Sequence, residues 1–382
     1  MVNIRDKRNC SGCGACAAAC PRDCIRMAED REGFLYPMEE VDRCIQCGAC
    51  LRACPVLEKR GGSQSPAVYA AVSLDDDARA QSSSGGVFSL IASHILDRGG
   101  VVFGAAFDPE GNVVHTAVRT REGLSALRGS KYLQSRIGNA YREAKAFLEE
   151  GTPVYFTGTP CQIEGLLKFL KKDYPHLLTQ DLICHGVPSP LVFRKYMEYQ
   201  AKRHGAAPTK ILFRKKDPAI KPYLIDIEFE NGTHHACAAN ADPYMKAFLR
   251  DFSLRPSCYA CRFKGTERAS DITLADYWGI DRVHPDFASG DGVSLVWIHS
   301  SKGAQAFEAL QEKMNAISSD MERAVEFNRS AISSAKRPAG RSRFIHSLER
   351  MDFSEAVERY CKDSFVLRLK KKAKSMIKKI IR

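Results

Sequence analysis

The sequence predicts a mixed α/β (α+β) fold, with a small cysteine-rich module followed by a larger α/β domain. Nine of the fifteen cysteines fall within the first 54 residues, and eight of these nine form two copies of one spacing. Beyond residue 66, strand and helix patterns alternate, as is typical of βαβ units. A chain of 382 residues that is 44% hydrophobic can bury the cores of two or three domains.

The two cysteine runs both read C-x2-C-x2-C-x3-C-P, a spacing typical of paired 4Fe-4S clusters. In such pairs the first three cysteines of a run bind one cubane and the fourth binds the other. Zinc sites use paired rather than fourfold runs, which disfavours zinc or a disulfide framework. We therefore predict a two-cluster ferredoxin-like module over residues 1–60, with a strand pair near residues 33–38. Its first cluster is assigned to Cys10, Cys13, Cys16 and Cys54, and its second to Cys20, Cys44, Cys47 and Cys50.

The net charge of +12 is concentrated at the C-terminus, where residues 362–382 hold nine Lys or Arg against one Asp. The body shows no nucleic-acid motif, so we expect no nucleic-acid partner. No leader pattern opens the chain, and no apolar run nears the ~18 residues that a membrane span needs. We therefore expect a cytoplasmic protein. In that reducing compartment, cysteines serve as metal ligands more readily than as disulfides.

The larger domain is predicted element by element from its apolar periodicity. A Gly- and Ser-rich linker covers residues 61–66, and a second domain begins near Ala67. In chain order we predict a strand at Val68–Ser73, a helix after Ser82–Gly86, strands at Val101–Phe107 and Val113–Arg119, a helix at Asn139–Glu150, a strand ending at Gly158, a helix carrying Ile163 to Leu170, and a strand ending at Cys184.

The remaining elements are a hairpin, two further strands and three helices. We predict a hairpin turning at Asn231 and Gly232, a helix at Asp242–Leu254, strands at residues 269–279 and 293–300, a helix from Lys302, a connector over residues 333–345 and a basic helical tail over residues 346–382. From Phe365 the tail shows an apolar stripe on a basic helix. Such a segment suits an anionic membrane surface or an acidic partner, or it docks on its own domain.

Two isolated cysteines are predicted to meet at one edge of the sheet. If the strands that end at Gly158 and Cys184 are parallel neighbours, Cys161 and Cys184 both lie at the carboxyl edge, where α/β sheets place their ligands. Cys161 also falls at a helix N-terminus, whose partial positive charge favours a thiolate. A C-x2-C pair, Cys258 and Cys261, follows later in the chain.

Four ordered motifs resemble the coenzyme F(420) hydrogenase/dehydrogenase beta-subunit family. They are GTPCQ from Gly158, DLICHGVPSP from Asp181, RPSCYACRFKG from Arg255 and SDITLADYWGI from Ser270. The resemblance spans about residues 67–313 and implies a larger α/β flavin and iron-sulfur domain. It divides into an FAD-binding part at residues 67–150 and a cluster and substrate part at residues 151–330.

The resemblance also implies particular site residues. A third 4Fe-4S cluster would be bound by Cys161, Cys184, Cys258 and Cys261, although zinc is an alternative. FAD would be bound near Ser84, Gly85, Gly86, Lys131, Tyr132, Gly158, Thr159, Pro160 and Gln162, where a helix start and a lysine suit a pyrophosphate. His185 either tunes the cluster, relays a proton or is an ordinary polar loop residue. No catalytic residue is assigned.

The function that the resemblance implies is electron transfer between FAD and 4Fe-4S clusters by an oxidoreductase. The hydride donor would be reduced coenzyme F(420) or an organic substrate, and the acceptor a redox partner protein or ferredoxin. The segment after FRKK lacks the Gly-Trp pair of many members, which weakens the case for F(420). The alternatives are a non-catalytic electron-transfer subunit and a ferredoxin-dependent reductase of an organic substrate, such as one of a polysaccharide pathway.

Overall fold

The N-terminal module is built around a hairpin between two short helices. The computed structural model describes residues 6–62, 66–217, 223–288, 290 and 292–362. Strand β1 (Ile25–Glu29) pairs antiparallel with β2 (Leu35–Glu39). Helices α1 (Ala15–Ala18) and α2 (Ala49–Arg52) start after Gly14 and Gly48, whose φ angles of 75° and 70° are left-handed. Only glycine adopts this conformation at no steric cost, so the two cysteine runs fold alike.

An eight-stranded sheet forms the centre of the larger domain, in the order β13-β3-β12-β11-β7-β6-β4-β5. The β4–β6, β6–β7 and β7–β11 pairs are parallel, and the others are antiparallel. The predicted parallel neighbours are therefore confirmed. The strands are β3 (Ala67–Ser73), β4 (Val101–Phe107), β5 (Val113–Val118), β6 (Val154–Thr157), β7 (Leu177–Leu182), β11 (Ile272–Asp276), β12 (Ser294–Ile298) and β13 (Met314–Ser318).

A second, three-stranded antiparallel sheet has the order β10-β9-β8. Its strands are β8 (Pro208–Lys215), β9 (Leu224–Phe229) and β10 (His234–Ala238), which include the predicted hairpin. The sheet shares a core with helices α8 (Pro190–His204), α9 (Pro243–Leu249) and α14 (Phe353–Tyr360). The buried aromatic residues of these helices include Tyr196, Tyr244 and Phe353.

The remaining helices connect and cover the sheets. They are α3 (Asp76–Ala80), α4 (Val87–Asp97), α5 (Leu124–Leu127), α6 (Ala140–Glu149), α7 (Pro160–Leu170), α8 (Pro190–His204), α9 (Pro243–Leu249), α10 (Ile280–Val283), α11 (Ser301–Glu308), α12 (Met321–Glu326), α13 (Arg341–Ser347) and α14 (Phe353–Tyr360). None of the described helices is long and apolar enough to cross a membrane.

Helix α7 places the GTPCQ motif at the carboxyl end of β6. Pro160 occupies its first turn, where the missing N–H costs nothing, and the Gln162 side chain accepts from the Thr159 N–H at 2.9 Å. Ile163 and Leu166 are buried on the helix face, as the periodicity predicts. Each such side chain contributes about 2 kcal/mol of hydrophobic stabilisation, which fixes the helix start against the sheet.

The cysteine-rich module shares a core with the larger domain. Cys13, Ala15 and Ala53 pack in the same buried cluster as helices α6 and α7. The Arg142 guanidinium of α6 donates to the Ala18 carbonyl at 3.0 Å, next to the end of α1. The module is therefore fixed against α6 and α7 by apolar and polar contacts together.

Three expectations for the C-terminal half need correction. Helix α9 ends at Leu249 rather than Leu254, because the chain turns through Asp251 at a φ of 67°. The predicted connector contains the start of α13, whose Arg341 is buried and pairs with Glu32. Residues 346–362 belong to the core rather than to a tail, since α14 buries Phe353. The basic stripe from Phe365 lies outside the described residues.

Candidate metal centres

The second predicted cysteine set surrounds one recess in the N-terminal module. Cys20, from the first run, lines this recess together with the first three cysteines of the second run, Cys44, Cys47 and Cys50. The Gln46 N–H donates to the Cys44 sulfur at 3.4 Å, and the Cys24 N–H donates to the Cys20 sulfur at 3.3 Å. The structure thus brings together the four residues that the crossed ligation pattern requires. Cys47 is exposed.

The first predicted set is enclosed by the protein. Cys10, Cys13 and Cys16 are buried, and Cys54 is partly buried. Burial, with a smaller contribution from the neighbouring Cys10 and Cys54 thiolates, raises the pKa of Cys13 to about 12. Such thiols stay protonated at neutral pH unless a cationic metal stabilises the thiolates, so this donor set fits an iron cluster.

The third predicted set lies in one recess at the carboxyl edge of the large sheet. Cys161 is in the first turn of α7, Cys184 follows β7, and Cys258 and Cys261 come from the loop after α9. The Thr159 hydroxyl lies 3.1 Å from the Cys161 sulfur, and the Val187 N–H donates to the Cys258 sulfur at 3.4 Å. Four cysteines from three separate segments therefore face one space.

In none of the three predicted cysteine groups do three sulfurs lie within 4.8 Å of one another. In a tetrahedral zinc site with Zn–S bonds of about 2.3 Å, the sulfurs lie about 3.8 Å apart. Among the described residues, the sets of three potential ligands within 4.8 Å of one another are His235–Cys237–Asp242 and Asp226–Glu228–His234. Neither set includes a cysteine of the three predicted groups. These groups are thus more open than zinc requires, and a cubane fills more space.

Basic side chains surround the third set. Burial raises the pKa of Cys258 to about 12, while the charge of Arg255 acts in the opposite direction. Burial likewise raises the pKa of Cys184, which Lys264 and Arg268 oppose. Lys264 donates to the carbonyls of Cys184 and Ser330. This recess therefore combines thiols with fixed positive charge, an environment that stabilises an anionic cluster.

The first and third sets are direct neighbours. Burial raises the pKa of Cys161, and the nearby Cys13 thiolate adds to that rise. Between them, Gly165 of α7 is closely packed, since a Cβ there would lie 3.1 Å from the Cys13 sulfur. One turn of α7 thus separates the two cysteine sets.

Arg255 is a site residue for which the sequence predicted no role of its own, although it begins the RPSCYACRFKG motif. Its guanidinium is fully buried and donates to the Cys10 carbonyl at 2.8 Å, the Leu35 carbonyl at 2.9 Å and the Gln134 side chain at 2.8 Å. It also lies 3.7 Å from the Cys10 sulfur and over the Tyr36 ring. Arg255 therefore connects the loop of the third set to the first set.

The predicted flavin residues before α4 are engaged within the fold. The Ser84 hydroxyl donates to the Val293 carbonyl at 2.9 Å, and the Gly85 N–H donates to the Ser294 hydroxyl at 3.0 Å. Gly86 has a φ of 89° and is the N-cap of α4. The Ser84 hydroxyl and the Gly85 N–H, which were predicted to donate to a pyrophosphate, thus donate within the protein instead. These hydrogen bonds hold the start of α4 against β12.

Lys131 and Tyr132 lie beside this segment. The Ser130 N–H donates to the Ser83 hydroxyl at 2.9 Å, which joins the two predicted flavin segments. Burial lowers the pKa of Lys131 to about 7, and its amine donates to the carbonyls of Ala126 and Arg128 at 2.7 Å each. The Tyr132 ring packs against Phe213 and Phe248, within the core.

The other predicted flavin residues, Gly158, Thr159, Pro160 and Gln162, surround the start of α7. Thr159, Pro160 and Gln162 line the recess of the third set. Behind them, the His115 Nε2–H donates to the Thr157 carbonyl at 2.9 Å, and the His115 Nδ1 accepts from the Ser135 hydroxyl at 2.9 Å. Burial lowers the pKa of His115 to about 4, so the ring is neutral at pH 7. Nothing in the local sequence signals this role, because its partners are distant in the chain.

His185 lines the recess of the third set and is held by two polar partners. Its Nε2 lies 2.7 Å from the Asp251 carboxylate, and its Nδ1 lies 3.2 Å from the Ser330 hydroxyl. This environment gives the ring a fixed orientation next to Cys184. His185 is therefore a positioned, hydrogen-bonded imidazole at the edge of this recess.

Comparisons with known proteins support 4Fe-4S clusters in the N-terminal region. The family model that describes the C terminus of the coenzyme F(420) hydrogenase/dehydrogenase beta subunit matches residues 151–323. Two models described as "4Fe-4S dicluster domain" match residues 9–57 and 40–97. No curated protein matches the chain.

Among solved structures, the chain is similar to one from the F(420)-reducing NiFe hydrogenase complex of Methanosarcina barkeri, studied by xenon derivatization. The two are 18% identical with a TM-score of 0.48, over 70% of this chain and 91% of that chain. By these family and domain matches, residues 151–323 belong to the family described as the C terminus of the coenzyme F(420) hydrogenase/dehydrogenase beta subunit, and the N-terminal region carries a 4Fe-4S dicluster domain.

Proposed function

We propose that the chain is an iron-sulfur flavoprotein that exchanges electrons between a hydride donor or organic substrate at FAD and a row of three 4Fe-4S clusters. The observation that carries the proposal is the order of the three cysteine sets. The third set adjoins the first across one turn of α7, and the first shares the ferredoxin-like module with the second. A row of neighbouring redox sites is what stepwise electron transfer requires.

The chain's own residues would hold the clusters and set their charge. Twelve cysteines supply three sets of four thiolates, and backbone N–H groups such as those of Gln46 and Val187 donate to the sulfurs. Arg255 and Lys264 add positive charge beside the first and third sets. When bound, such clusters accept and release single electrons.

FAD would supply the exchange between electron pairs and single electrons. Support for its site is the junction of Ser83 with Ser130, which joins the start of α4 to the segment of Lys131. Lys216 donates to the carbonyls of Arg79 and Ser84, so basic groups gather at this helix N-terminus. Helix starts and lysines suit a pyrophosphate. The Ser84 and Gly85 donors are engaged and the Lys131 amine donates to two carbonyls, so the flavin proposal depends most on the third donor of the Lys131 ammonium.

Iron and flavin content of anaerobically prepared, reconstituted protein test the proposal. We expect about twelve irons per chain and one FAD. Cys258→Ser should remove about four irons, whereas Cys361→Ser, at a buried cysteine outside the three sets, should retain all of them. Eight irons with one zinc in the wild-type protein would refute the third cluster.

The flavin site is tested separately. Lys131→Met should lower the flavin content while leaving the iron content unchanged, and Lys172→Met, at an exposed lysine, should change neither. Equal flavin retention in both variants would place the flavin away from Lys131. A wild-type protein that retains iron but no flavin would leave only a non-catalytic electron-transfer subunit.

The natural partners would be a redox protein on the cluster side and a hydride donor, such as reduced F(420) or an organic substrate, on the flavin side. The basic segment from Phe365 would add reversible binding to an anionic membrane surface. Titration of the protein with reduced F(420), NAD(P)H and reduced ferredoxin identifies the input side, because only a competent donor bleaches the flavin spectrum.

A further inference from the structure

The two cluster-binding ends of the N-terminal module differ in their exposure. The first set lies against α6 and α7, and three of its cysteines are buried. In the second set Cys47 is exposed. Within the module, electrons can therefore leave or enter the protein most directly at Cys47.

The surface around Cys47 carries large apolar side chains that face solvent. Ile45 and Leu51 line the recess of the second set and are 57% and 40% exposed. Val41 is 62% exposed, and its carbonyl accepts from the Cys44 N–H at 3.0 Å, so it lies beside the same set. We name Val41, Ile45, Cys47 and Leu51 the outer face. Grouped apolar exposure of this kind indicates an interaction surface.

Two arginines, Arg22 and Arg52, border the outer face. They outnumber the one exposed carboxylate beside Val41 that has no ion pair among the described residues, that of Asp42. The Arg52 guanidinium donates to the Cys47 carbonyl at 3.0 Å, and Arg22 lines the same recess. Neither forms an ion pair with a described carboxylate, whereas Arg43 pairs with Glu40. An apolar centre with a charged border is typical of a transient protein interface. In such an interface the charges raise the association rate, and the apolar contacts determine how fast the complex dissociates.

We propose that the outer face docks a one-electron carrier protein whose own cluster lies at an apolar surface with an acidic border, as in a small acidic ferredoxin. The proposal rests on the proposed function, because it names the partner of the second cluster. One electron would pass in each encounter, so that one of the two clusters is oxidised by one electron and the other is reduced by one. Charge complementarity with Arg22 and Arg52 selects this partner over a neutral or basic protein.

The test is calorimetric binding of an acidic two-cluster ferredoxin to the full-length, cluster-loaded protein under anaerobic conditions. Ile45→Glu places a carboxylate against the acidic border and removes apolar contact, so Kd should rise at least about tenfold. Leu249→Glu is the matched control, because Leu249 is also exposed, at 50%, but lies at the end of α9. Its Kd should stay unchanged, and both variants should keep the wild-type iron content.

The outcomes separate this proposal from the function on which it rests. Reduction of the clusters by a small viologen does not need a docking surface. If the viologen fails to reduce the clusters of the wild-type protein, the proposed function itself is wrong. If the viologen reduces them normally but wild-type protein does not bind the ferredoxin, or Ile45→Glu binds it as well as wild type does, the docking surface is overturned.

Discussion

Replacing Arg255 by glutamine should lower the reduction potential of the cluster at Cys10, Cys13, Cys16 and Cys54. The guanidinium is fully buried, and it forms no ion pair with any carboxylate in the described part of the chain. A buried cation without a compensating charge costs several kcal/mol. An anionic thiolate-bound cluster next to it supplies that charge, and the cation in turn stabilises each added electron.

The expected shift follows from the geometry. The guanidinium lies 3.7 Å from the Cys10 sulfur, which places the centre of a bound cluster roughly 6 Å away. At an effective dielectric constant of about 20, one charge at that distance contributes about 2.8 kcal/mol, or about 120 mV. Removing the positive charge destabilises the reduced cluster, so the potential should fall by that amount.

The assay is a redox titration of the anaerobic protein, followed by the electron paramagnetic resonance of the reduced clusters. Arg142→Gln is the matched control. Arg142 also donates to backbone carbonyls of the N-terminal module, but it pairs with Asp23 and is partly exposed. Its replacement should shift the potential by less than about 30 mV, because solvent and Asp23 already screen the charge. Arg255→Lys, which retains the charge, should recover most of the wild-type potential.

Iron content decides whether the Arg255 result can be interpreted, and Arg255→Lys remains informative if the glutamine variant loses its first cluster. The reasoning is refuted if a fully loaded Arg255→Gln protein titrates within about 20 mV of the wild type. It is equally refuted if the lysine and glutamine variants shift the potential alike, since the effect would then come from lost geometry rather than lost charge.

Three further predictions follow from other parts of the molecule. Gly165→Leu should displace Cys13, whose sulfur would lie 3.1 Å from a Cβ at position 165, and should cost about four irons by chemical analysis; full iron content would contradict the close packing. His115 has its pKa lowered from 6.5 to about 4, so stability is lost as the pH falls through 6.5. Between pH 7.5 and 5.5 the wild type should lose about 1.3 kcal/mol that His115→Gln does not, measured by anaerobic thermal unfolding; parallel losses would count against it. Truncation before Phe365 should abolish co-sedimentation with anionic vesicles at low salt and leave the iron content intact; binding by the truncated protein would exclude the tail.

Much of the fold could be predicted because the signals are local. The strand at Ala67–Ser73 and the helices at Val87–Asp97 and Pro160–Leu170 follow from apolar periodicity and from capping residues within each segment. The crossed cysteine sets could be predicted for the same reason, since each run has a fixed internal spacing. The position of Cys161 beside Cys184 needed one further step, the parallel pairing of β6 with β7.

The contacts between distant segments could not be predicted from the sequence. Arg255 meets Cys10 across 245 positions, and no local pattern distinguishes this buried arginine from a surface one. Arg341 lies in a segment whose polar composition predicts a connector. In the structure it is the first residue of α13 and forms an ion pair with Glu32. For the same reason, the sequence did not reveal that the Ser84 hydroxyl and the Gly85 N–H form hydrogen bonds with Val293 and Ser294, at the start of β12.

The buried contacts between the N-terminal module and the larger domain make the two ends of the module different. Polar and apolar contacts hold the first set against α7, and Arg255 links it to the loop of the third set, so this junction is closely packed. The second set has no such cover at Cys47. A closely packed inner junction keeps the separation of neighbouring centres constant, whereas an exposed outer end admits partners that come and go. The same module can thus be a fixed part of the oxidoreductase at one end and a replaceable contact at the other.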